Sequence, residues 1–223
     1  MVGGRPVTTL ELNLWKQRLG AVPASVWEQT SLETLILADN DLLEVSEALG
    51  ALTRLRVLDL GHNRLSRVPD SIGQLAGLRD FLYLHDNQLA SLPPSLGQLT
   101  RLRYLNLSDN VFTELPSAVC QLTALIELRV SGNRLTSLPD ALSKLTHLRE
   151  LHLRDNQLSS LPDSMGALQE LRQLDLRGNP LCTLPLALST LPRLEKLDLR
   201  WVKLVHVPDW LEALESRGCV VYR

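Results

Sequence analysis

The chain of 223 residues carries 23 lysines and arginines against 25 aspartates and glutamates. The resulting net charge of −2 argues against a nucleic-acid binder, because such proteins present an excess of basic residues to the phosphates. Hydrophobic residues make up 44% and aromatic residues only 4%, so a core of aliphatic side chains is favoured. The first six residues, Met1 to Pro6, lack the apolar segment of a secretory signal, and no run of about 18 apolar residues is present. Neither a signal peptide nor a membrane span is therefore predicted.

One asparagine position recurs along most of the chain at intervals of 23 or 24 residues. The asparagines are Asn40, Asn63, Asn87, Asn110, Asn133, Asn156 and Asn179. Each stands in the same frame: residues 55–65, for example, read LxxLxLxxNxL and are followed by Val68-Pro69. A fixed period of this length predicts a solenoid, in which each coil buries its apolar face against the coils beside it. We therefore expect a single domain over residues 1–223, with about nine coils in residues 10–214.

These residues, with an LPxxLxxL segment after each strand, resemble leucine-rich repeat proteins of the 23-residue intracellular kind. That group includes the Ras-group repeat proteins and the repeat domains of some bacterial effectors delivered into host cells. The resemblance covers about residues 10–214. It implies an α/β fold: a curved right-handed solenoid with a parallel β-sheet on its concave face and short helical or 3₁₀ turns on its convex face. It implies little about biochemical activity.

The LxL segment of each coil predicts a β-strand, in which alternate residues point to opposite faces. In the coil that begins at Leu102, Leu105 and Leu107 are expected to point into the core, while Tyr104 and Asn106 point outward. The recurring asparagine follows, where the chain turns out of the sheet. Because its amide both donates and accepts hydrogen bonds, the seven asparagines are predicted to form a ladder that satisfies backbone groups of the turns.

The convex side of each coil is predicted to begin with a proline, whose fixed φ suits the first position of a short helical turn. Polar residues after it, such as Asp70 and Asp163, are candidates to cap or charge that turn. Ser46 takes the place of proline in the second coil, so a looser convex segment is expected there. The prolines of this row are Pro23, Pro69, Pro93, Pro116, Pro139, Pro162, Pro185 and Pro208.

Three places depart from the regular repeat. Gln17 replaces the asparagine in the first coil and Val202 replaces it in the last, as expected of terminal coils with one unpartnered face. Residues 219–222 return to the strand phase and predict a final edge strand. Residues 78–87 hold one residue more than their neighbours, which predicts a β-bulge. The sequence leaves open whether Phe81 faces outward with Leu82 inward, or takes the inward place itself, and whether the bulge serves a function.

The outward strand positions are expected to form a partner-binding surface, because they differ from coil to coil while the inward positions repeat. Aromatic and arginine side chains dominate binding hot spots. Two alternatives stay open: the tyrosines can form a solvated face with cross-strand stacking, and the arginines can pair with Asp175 and Asp198 in a ladder of ion pairs. The candidate partner-binding residues are Trp15, Ile36, Tyr83, His85, Tyr104, Arg129, His152, Arg154, Arg177 and Arg200.

No catalytic, cofactor-binding or metal-binding residue is predicted. Gly3-Gly4 lacks the strand and helix of a phosphate-binding loop, and no histidine has catalytic or metal-ligand spacing to a cysteine. Aspartates precede several of the recurring asparagines and suggest a calcium ladder at first sight. Histidine or glycine interrupts that row at positions 62, 132 and 178, so hydrogen bonding in the turn is the better interpretation.

The function favoured by the sequence is a protein–protein interaction module, not an enzyme, that binds another protein through its concave face, as in intracellular signalling. The alternative is the substrate-recognition part of a secreted bacterial effector whose enzymatic domain is absent. Cys120, Cys182 and Cys219 are odd in number and widely spaced, whereas secreted leucine-rich repeat proteins usually carry cysteine-clustered caps. A cytoplasmic location is therefore expected, in the protein's own cell or in a host cell. A monomer is favoured, and neither nucleic acid nor membrane is an expected partner.

Overall fold

The computed structural model describes residues 10–223, so Met1 to Pro6 and the Gly3-Gly4 pair lie outside the described residues. Short β-strands alternate with helical turns along the chain. The strands are β1 (Glu11–Asn13), β2 (Thr34–Ile36), β3 (Val57–Asp59), β4 (Phe81–Tyr83), β5 (Tyr104–Asn106), β6 (Glu127–Arg129), β7 (Glu150–His152), β8 (Gln173–Asp175), β9 (Lys196–Asp198) and β10 (Val220–Tyr222). The helical segments are α1 (Ala24–Trp27), the 3₁₀ helices Glu47–Ala51, Asp70–Gln74, Pro94–Gln98, Val119–Gln121, Asp140–Lys144, Asp163–Ala167 and Leu186–Thr190, and α2 (Trp210–Ser216).

The ten strands form one parallel sheet whose strand order follows the chain order from β1 to β10. Pairing is one-to-one at every junction; Leu105 at the centre of β5, for example, pairs with Leu82 of β4 and Leu128 of β6. Together with the 3₁₀ helices on the other side, this arrangement confirms the predicted solenoid. Within residues 10–223, no helix is both long enough and apolar enough to cross a bilayer.

The core between sheet and helices is a stack of leucines. Leu55, Leu58 and Leu60 of the repeated frame are fully buried, as are their counterparts in the other internal coils. Burial of each such side chain contributes roughly 1.5–3 kcal/mol. Two residues after the recurring asparagine, where the neighbouring coils have leucine, the fifth coil has Phe112, which is also fully buried. The repetition of one side chain in each row allows successive coils to pack in the same way.

The ends of the stack are closed differently. In the first coil Leu12 and Leu14 are only partly buried against the core, since β1 is the edge strand of the sheet formed by residues 10–223. At the other end α2 lays Leu211 and Leu214 over the last coil, and β10 pairs with β9 beyond it. The turn of the internal coils is retained at both ends without its asparagine, because Gln17 and Val202 follow residues in the same left-handed backbone conformation.

The recurring asparagines form the predicted ladder between coils. The buried Asn110 is representative: its Nδ2 donates to the carbonyl oxygens of Leu107 (3.0 Å), Ser108 (3.2 Å) and Leu84 of the preceding coil (3.0 Å). Its Oδ1 accepts from the backbone N–H of Leu89, also in the preceding coil (2.9 Å). One side chain thus satisfies groups of its own turn and ties that turn to its neighbour.

The residue before each of these asparagines explains the interrupted row of aspartates. All seven have a positive φ, from 51° to 68°. Glycine adopts this left-handed conformation freely, and Asp and His are among the residues found there more often than most. The seven residues are Asp39, His62, Asp86, Asp109, Gly132, Asp155 and Gly178. Backbone conformation, in addition to hydrogen bonding, therefore accounts for the residue types in this row.

The convex side corrects three details of the sequence interpretation. Five of the prolines precede a 3₁₀ helix as its N-cap residue instead of beginning it: Pro69, Pro93, Pro139, Pro162 and Pro185. Pro69, for example, has an extended ψ of 148°, and its carbonyl accepts from Ile72 N–H. Asp70 and Asp163 do not cap their helices, since neither helix has a side-chain cap hydrogen bond, but both lie in the first turn, where a negative charge is favourable. The second coil is not looser, because the Ser46 hydroxyl accepts from Ala48 N–H (3.1 Å) and caps its 3₁₀ helix.

The extra residue of segment 78–87 lies ahead of β4 and not within it. Leu82 is fully buried and Phe81 is 41% exposed, so Phe81 faces outward. The pairing of β4 with both neighbours is uninterrupted. The segment before β5 is hydrogen-bonded to the segment that holds the extra residue, since Arg103 N–H donates to the Arg79 carbonyl (3.0 Å). The extra residue thus lies within the predicted segment 78–87, but it does not interrupt the pairing of β4 as a β-bulge would. An insertion inside β4 would turn the following side chains to the opposite face.

Candidate functional site

The outward face of the sheet carries an aromatic cluster, formed by Phe81 and Tyr83 of β4 and Tyr104 of β5. Phe81 and Tyr83 stack with their ring centroids 5.9 Å apart. Tyr104 lies 5.4 Å from Phe81 and 5.0 Å from Tyr83. The parallel register pairs Phe81 with Tyr104 directly, which brings the three rings together. Phe81 is 41% exposed and belongs to the few large hydrophobic side chains exposed on the sheet.

The phenol groups of the aromatic cluster remain neutral at physiological pH. Partial burial raises the pKa of Tyr104 to about 12, although the nearby Arg129 opposes the change. Burial likewise raises the pKa of Tyr83, with Asp59 adding to the effect. The Arg129 guanidinium lies 6.0 Å from the centre of the Tyr104 ring, a cation–π distance. The cluster therefore combines apolar ring faces with hydroxyl groups that can donate hydrogen bonds to a ligand.

His85 extends the aromatic cluster toward the end of the strand. Its ring lies edge-on to Tyr83 (6.0 Å) and to His62 (4.7 Å). It covers Gly61, where a Cβ would lie only 2.4 Å from the His85 Cε1 atom. Its Nδ1 atom is buried and has no hydrogen-bond partner in residues 10–223. Burial, followed by the proximity of His62, lowers the pKa of His85, while Asp59, Asp86 and Asp109 oppose this shift.

We expect His85 to make the protein less stable in mild acid. Because its pKa in the folded state is lower than the unfolded value of about 6.5, the unfolded chain takes up the proton first. Stability should therefore fall as the pH drops below about 6.5. Urea unfolding at neutral and mildly acidic pH should show a smaller loss for His85→Gln than for the wild type. His206→Gln, at an exposed histidine, is the control and should lose as much as the wild type. Equal losses for all three proteins would contradict this account.

The predicted arginines of the C-terminal half are paired on the sheet itself. Arg177 Nη2 lies 2.6 Å from Asp175 Oδ2, and its Nε lies 3.4 Å from Asp198 Oδ2. Arg200 Nη2 lies 2.7 Å from the same Asp198 oxygen. Burial alone would raise the pKa of Asp198, but hydrogen bonds from Arg200 and the charge of Arg177 hold it below its usual range. The geometry therefore favours the ion-pair ladder for Arg177 and Arg200.

A second polar group lies on β6 and β7, next to the aromatic cluster. Glu127, Glu150 and His152 bring one ligand atom each within 4.8 Å of one another, a donor set that divalent metals accept. However, Arg129 Nε donates to Glu127 Oε1 at 2.5 Å and already supplies a positive charge. This group was not predicted, since its two glutamates are 23 residues apart along the chain and meet only through strand pairing.

The remaining predicted residues are spread along the face. Trp15 is 56% exposed in the turn after β1, with Lys16 over its ring at 5.7 Å. Ile36 is half-buried on β2, and Arg154 pairs with Asp155 (2.9 Å). The structure thus brings together Tyr83, His85, Tyr104 and Arg129, with His152 beside them, and leaves the other predicted residues apart. Phe81 belongs to this group, but the sequence left its orientation open.

Comparison with known proteins agrees with the geometry. The family model for the leucine rich repeat matches residues 30–89 and 123–181, and the model for a leucine-rich repeat region matches residues 71–151. The chain is 36% identical over 78 residues to the volume-regulated anion channel subunit LRRC8E of Xenopus laevis, which is 34% of this chain and 10% of that protein. It is 33% identical over 110 residues to fibromodulin of Oryctolagus cuniculus, which is 48% of this chain and 73% of that protein.

Two solved structures share the fold over nearly the whole chain. A leucine-rich repeat protein of Leptospira interrogans superposes with a TM-score of 0.75 at 28% identity, over 93% of this chain and 64% of that one. The ectodomain of the Arabidopsis thaliana receptor kinase GASSHO1/SCHENGEN3, in complex with Casparian strip integrity factor 2, gives 0.78 at 32% identity, over 90% of this chain and 25% of that one. The chain thus spans only a part of several proteins that it resembles. With the repeat model matched over more than half its length, the chain belongs to the leucine-rich repeat family.

Proposed function

We propose that this chain is a protein-interaction module that binds a partner protein through the aromatic cluster on the concave face of its sheet. The observation that carries the proposal is the contact of three aromatic side chains, one of them 41% exposed, on a surface that a folded monomer leaves open. Large aromatic side chains with polar tips contribute most of the binding energy in many interfaces. Leucine-rich repeat domains are generally protein-binding modules, which supports a protein as the ligand.

The electrostatics of the face support the same position for the centre of the interface. Arg177 and Arg200 are engaged with Asp175 and Asp198, so their charges are already balanced within the sheet. In contrast, the ring of Phe81 in the aromatic cluster is left exposed by residues 10–223. A partner that covers it would bury apolar area without breaking a strong ion pair. We therefore place the centre of binding at β4 to β6 and the paired arginines at its margin.

The setting of this interaction is proposed on weaker support. The resemblance to Ras-group repeat proteins favours a role in signalling within the cytoplasm. The three cysteines are free thiols, of which Cys182 is exposed, as is typical of a reducing compartment. The fold supplies binding surfaces, so we propose that the chain acts by recognition and not by catalysis. A solenoid of this kind binds as a monomer in our proposal, since one sheet face suffices.

The proposal predicts that the double variant Tyr83→Ala with Tyr104→Ala weakens partner binding by at least about 2 kcal/mol, or about thirtyfold in Kd. A partner captured by the wild type is used in titration calorimetry with both forms. The convex double variant Ser117→Ala with Gln121→Ala is the matched control and should bind normally. Loss of binding in the convex variant, with full binding by the tyrosine variant, would place the interface on the other face. Equal thermal midpoints show that the tyrosine variant remains folded.

A further inference from the structure

A groove of about 830 Å³ runs along the edge of the sheet at which the strands begin. Its walls are residues that directly precede the strands, together with residues at the ends of the convex helices. We call it the lateral groove, defined by Arg79, Arg101, Arg103, Ile126, His147 and Arg149. None of these residues is among the candidate partner-binding residues predicted from the sequence.

The lateral groove carries an excess of positive charge although the whole chain is slightly acidic. Two carboxylates line it, and both are already neutralised: Asp80 lies 2.8 Å from Arg56 Nη2, and Glu170 pairs with Arg193. In contrast, Arg101, Arg103 and Arg149 are exposed. No carboxylate of residues 10–223 lies within 4.0 Å of their guanidinium groups. Three unneutralised arginines therefore face the same groove.

The charges are distributed along the groove instead of converging on one point. Of the unneutralised arginines, Arg103 precedes β5 and Arg149 precedes β7, whereas Arg79, which precedes β4, lies 4.0 Å from Asp80. With strands about 4.8 Å apart, Arg103 and Arg149 are separated by roughly 10 Å. A single phosphate is too small to reach arginines so distributed. An extended peptide advances about 3.3–3.6 Å per residue and can present a negative charge to each of them.

We propose that the lateral groove binds an acidic peptide segment, a run of aspartate and glutamate residues in a partner protein. Arginine pairs well with carboxylates because its planar group donates two parallel hydrogen bonds. The groove also adjoins the aromatic cluster: Arg103 and Ile126 line both it and a small hollow beside Phe81 and Tyr104. One partner chain can thus cross from the concave face into the groove. The inference goes beyond the proposed function, since it concerns a different surface and a defined chemistry.

The test measures the anisotropy of a fluorescein-labelled peptide of about twelve alternating aspartates and glutamates, in about 0.1 M salt. The wild type should bind it saturably. The triple variant Arg101→Gln, Arg103→Gln and Arg149→Gln should lose at least about tenfold in affinity. The matched control removes the same charge from the opposite edge of the sheet, as Arg64→Gln, Arg67→Gln and Arg134→Gln, and should bind within about threefold of the wild type.

Four outcomes would overturn the assignment: no saturable binding, equal loss in both triple variants, competition by millimolar inorganic phosphate, and tighter binding of a single-stranded RNA of the same length through the same arginines. The Tyr83→Ala, Tyr104→Ala variant should bind the acidic peptide as the wild type does, which separates this inference from the proposed function. Thermal midpoints of all variants are compared. If the triple variant is less stable, the single change Arg149→Glu at an exposed side chain gives the same loss of affinity.

Discussion

Replacing Asn110 with alanine is expected to lower the free energy of unfolding by about 3 kcal/mol. The change removes the amide partner of three carbonyl oxygens, on Leu84, Leu107 and Ser108, and of the Leu89 N–H. Backbone groups that are buried without a partner cost roughly 1–3 kcal/mol each, and local relaxation or water entry reduces the sum. Because two of the four bonds reach the preceding coil, the variant loosens a junction as well as a turn.

Urea unfolding followed by circular dichroism measures this effect. The matched control is Asn106→Ala, which removes one local hydrogen bond from the same strand, between the Asn106 side chain and Ser108 N–H (3.0 Å). It should cost no more than about 1 kcal/mol. Asn110→Asp keeps the shape but cannot donate, so it should resemble Asn110→Ala in its loss. A variant Asn110→Ala as stable as the wild type would show that the ladder contributes nothing to the fold.

Phe112→Ala is expected to destabilise the protein by about 3–5 kcal/mol, the largest effect that we predict for a core residue. Phe112 is the largest fully buried side chain, and removal of its ring leaves a cavity between two coils whose backbones are fixed by strand pairing. Phe112→Leu restores the residue that Leu89 and Leu135 provide in the adjacent coils. It should cost only about 1 kcal/mol.

Thermal and urea unfolding of these two variants distinguish cavity formation from a general loss of packing. Phe112→Ala should have a clearly lower urea midpoint of unfolding than the wild type, whereas the midpoint of Phe112→Leu should be close to that of the wild type. If both lose the same amount, the coil requires the shape of the aromatic ring itself. In that case the simple picture of a leucine row that tolerates exchange between coils would be incorrect.

The period of the sequence was sufficient to predict the sheet, its register and the direction of its side chains. Leu105 had to be buried because each strand offers only two faces, and the repeated residue occupies the inner one. The roles of the residues in the turns were harder to predict, since they depend on backbone angles. Pro69 precedes its helix instead of starting it, and the residue before each asparagine requires a positive φ. The hydrophobic periodicity of a sequence does not predict such backbone angles.

The candidate site was predictable in outline and not in its internal pairing. Alternation placed Tyr83 and Tyr104 on the outer face, and the constant period implied that they are neighbours. Whether Arg177 turns toward Asp175 or toward solvent depends on side-chain rotamers, which the sequence pattern does not encode. The lateral groove was missed for a different reason: Arg103 and Arg149 precede the strands and lie outside the alternating positions.

The uniform register of the sheet means that the number of coils sets the distance between surface groups. Because Leu128 pairs with Leu151 in the same way as Leu105 pairs with Leu128, an additional unit of 23 residues can be inserted between two asparagines without new kinds of contact. Each inserted unit would increase the separation between the tyrosines of β4 and β5 and the arginines near β8 by one strand spacing, about 4.8 Å. The number of units thus sets the distance between two binding groups, and this distance can change to suit a larger partner while the residues of each group stay the same.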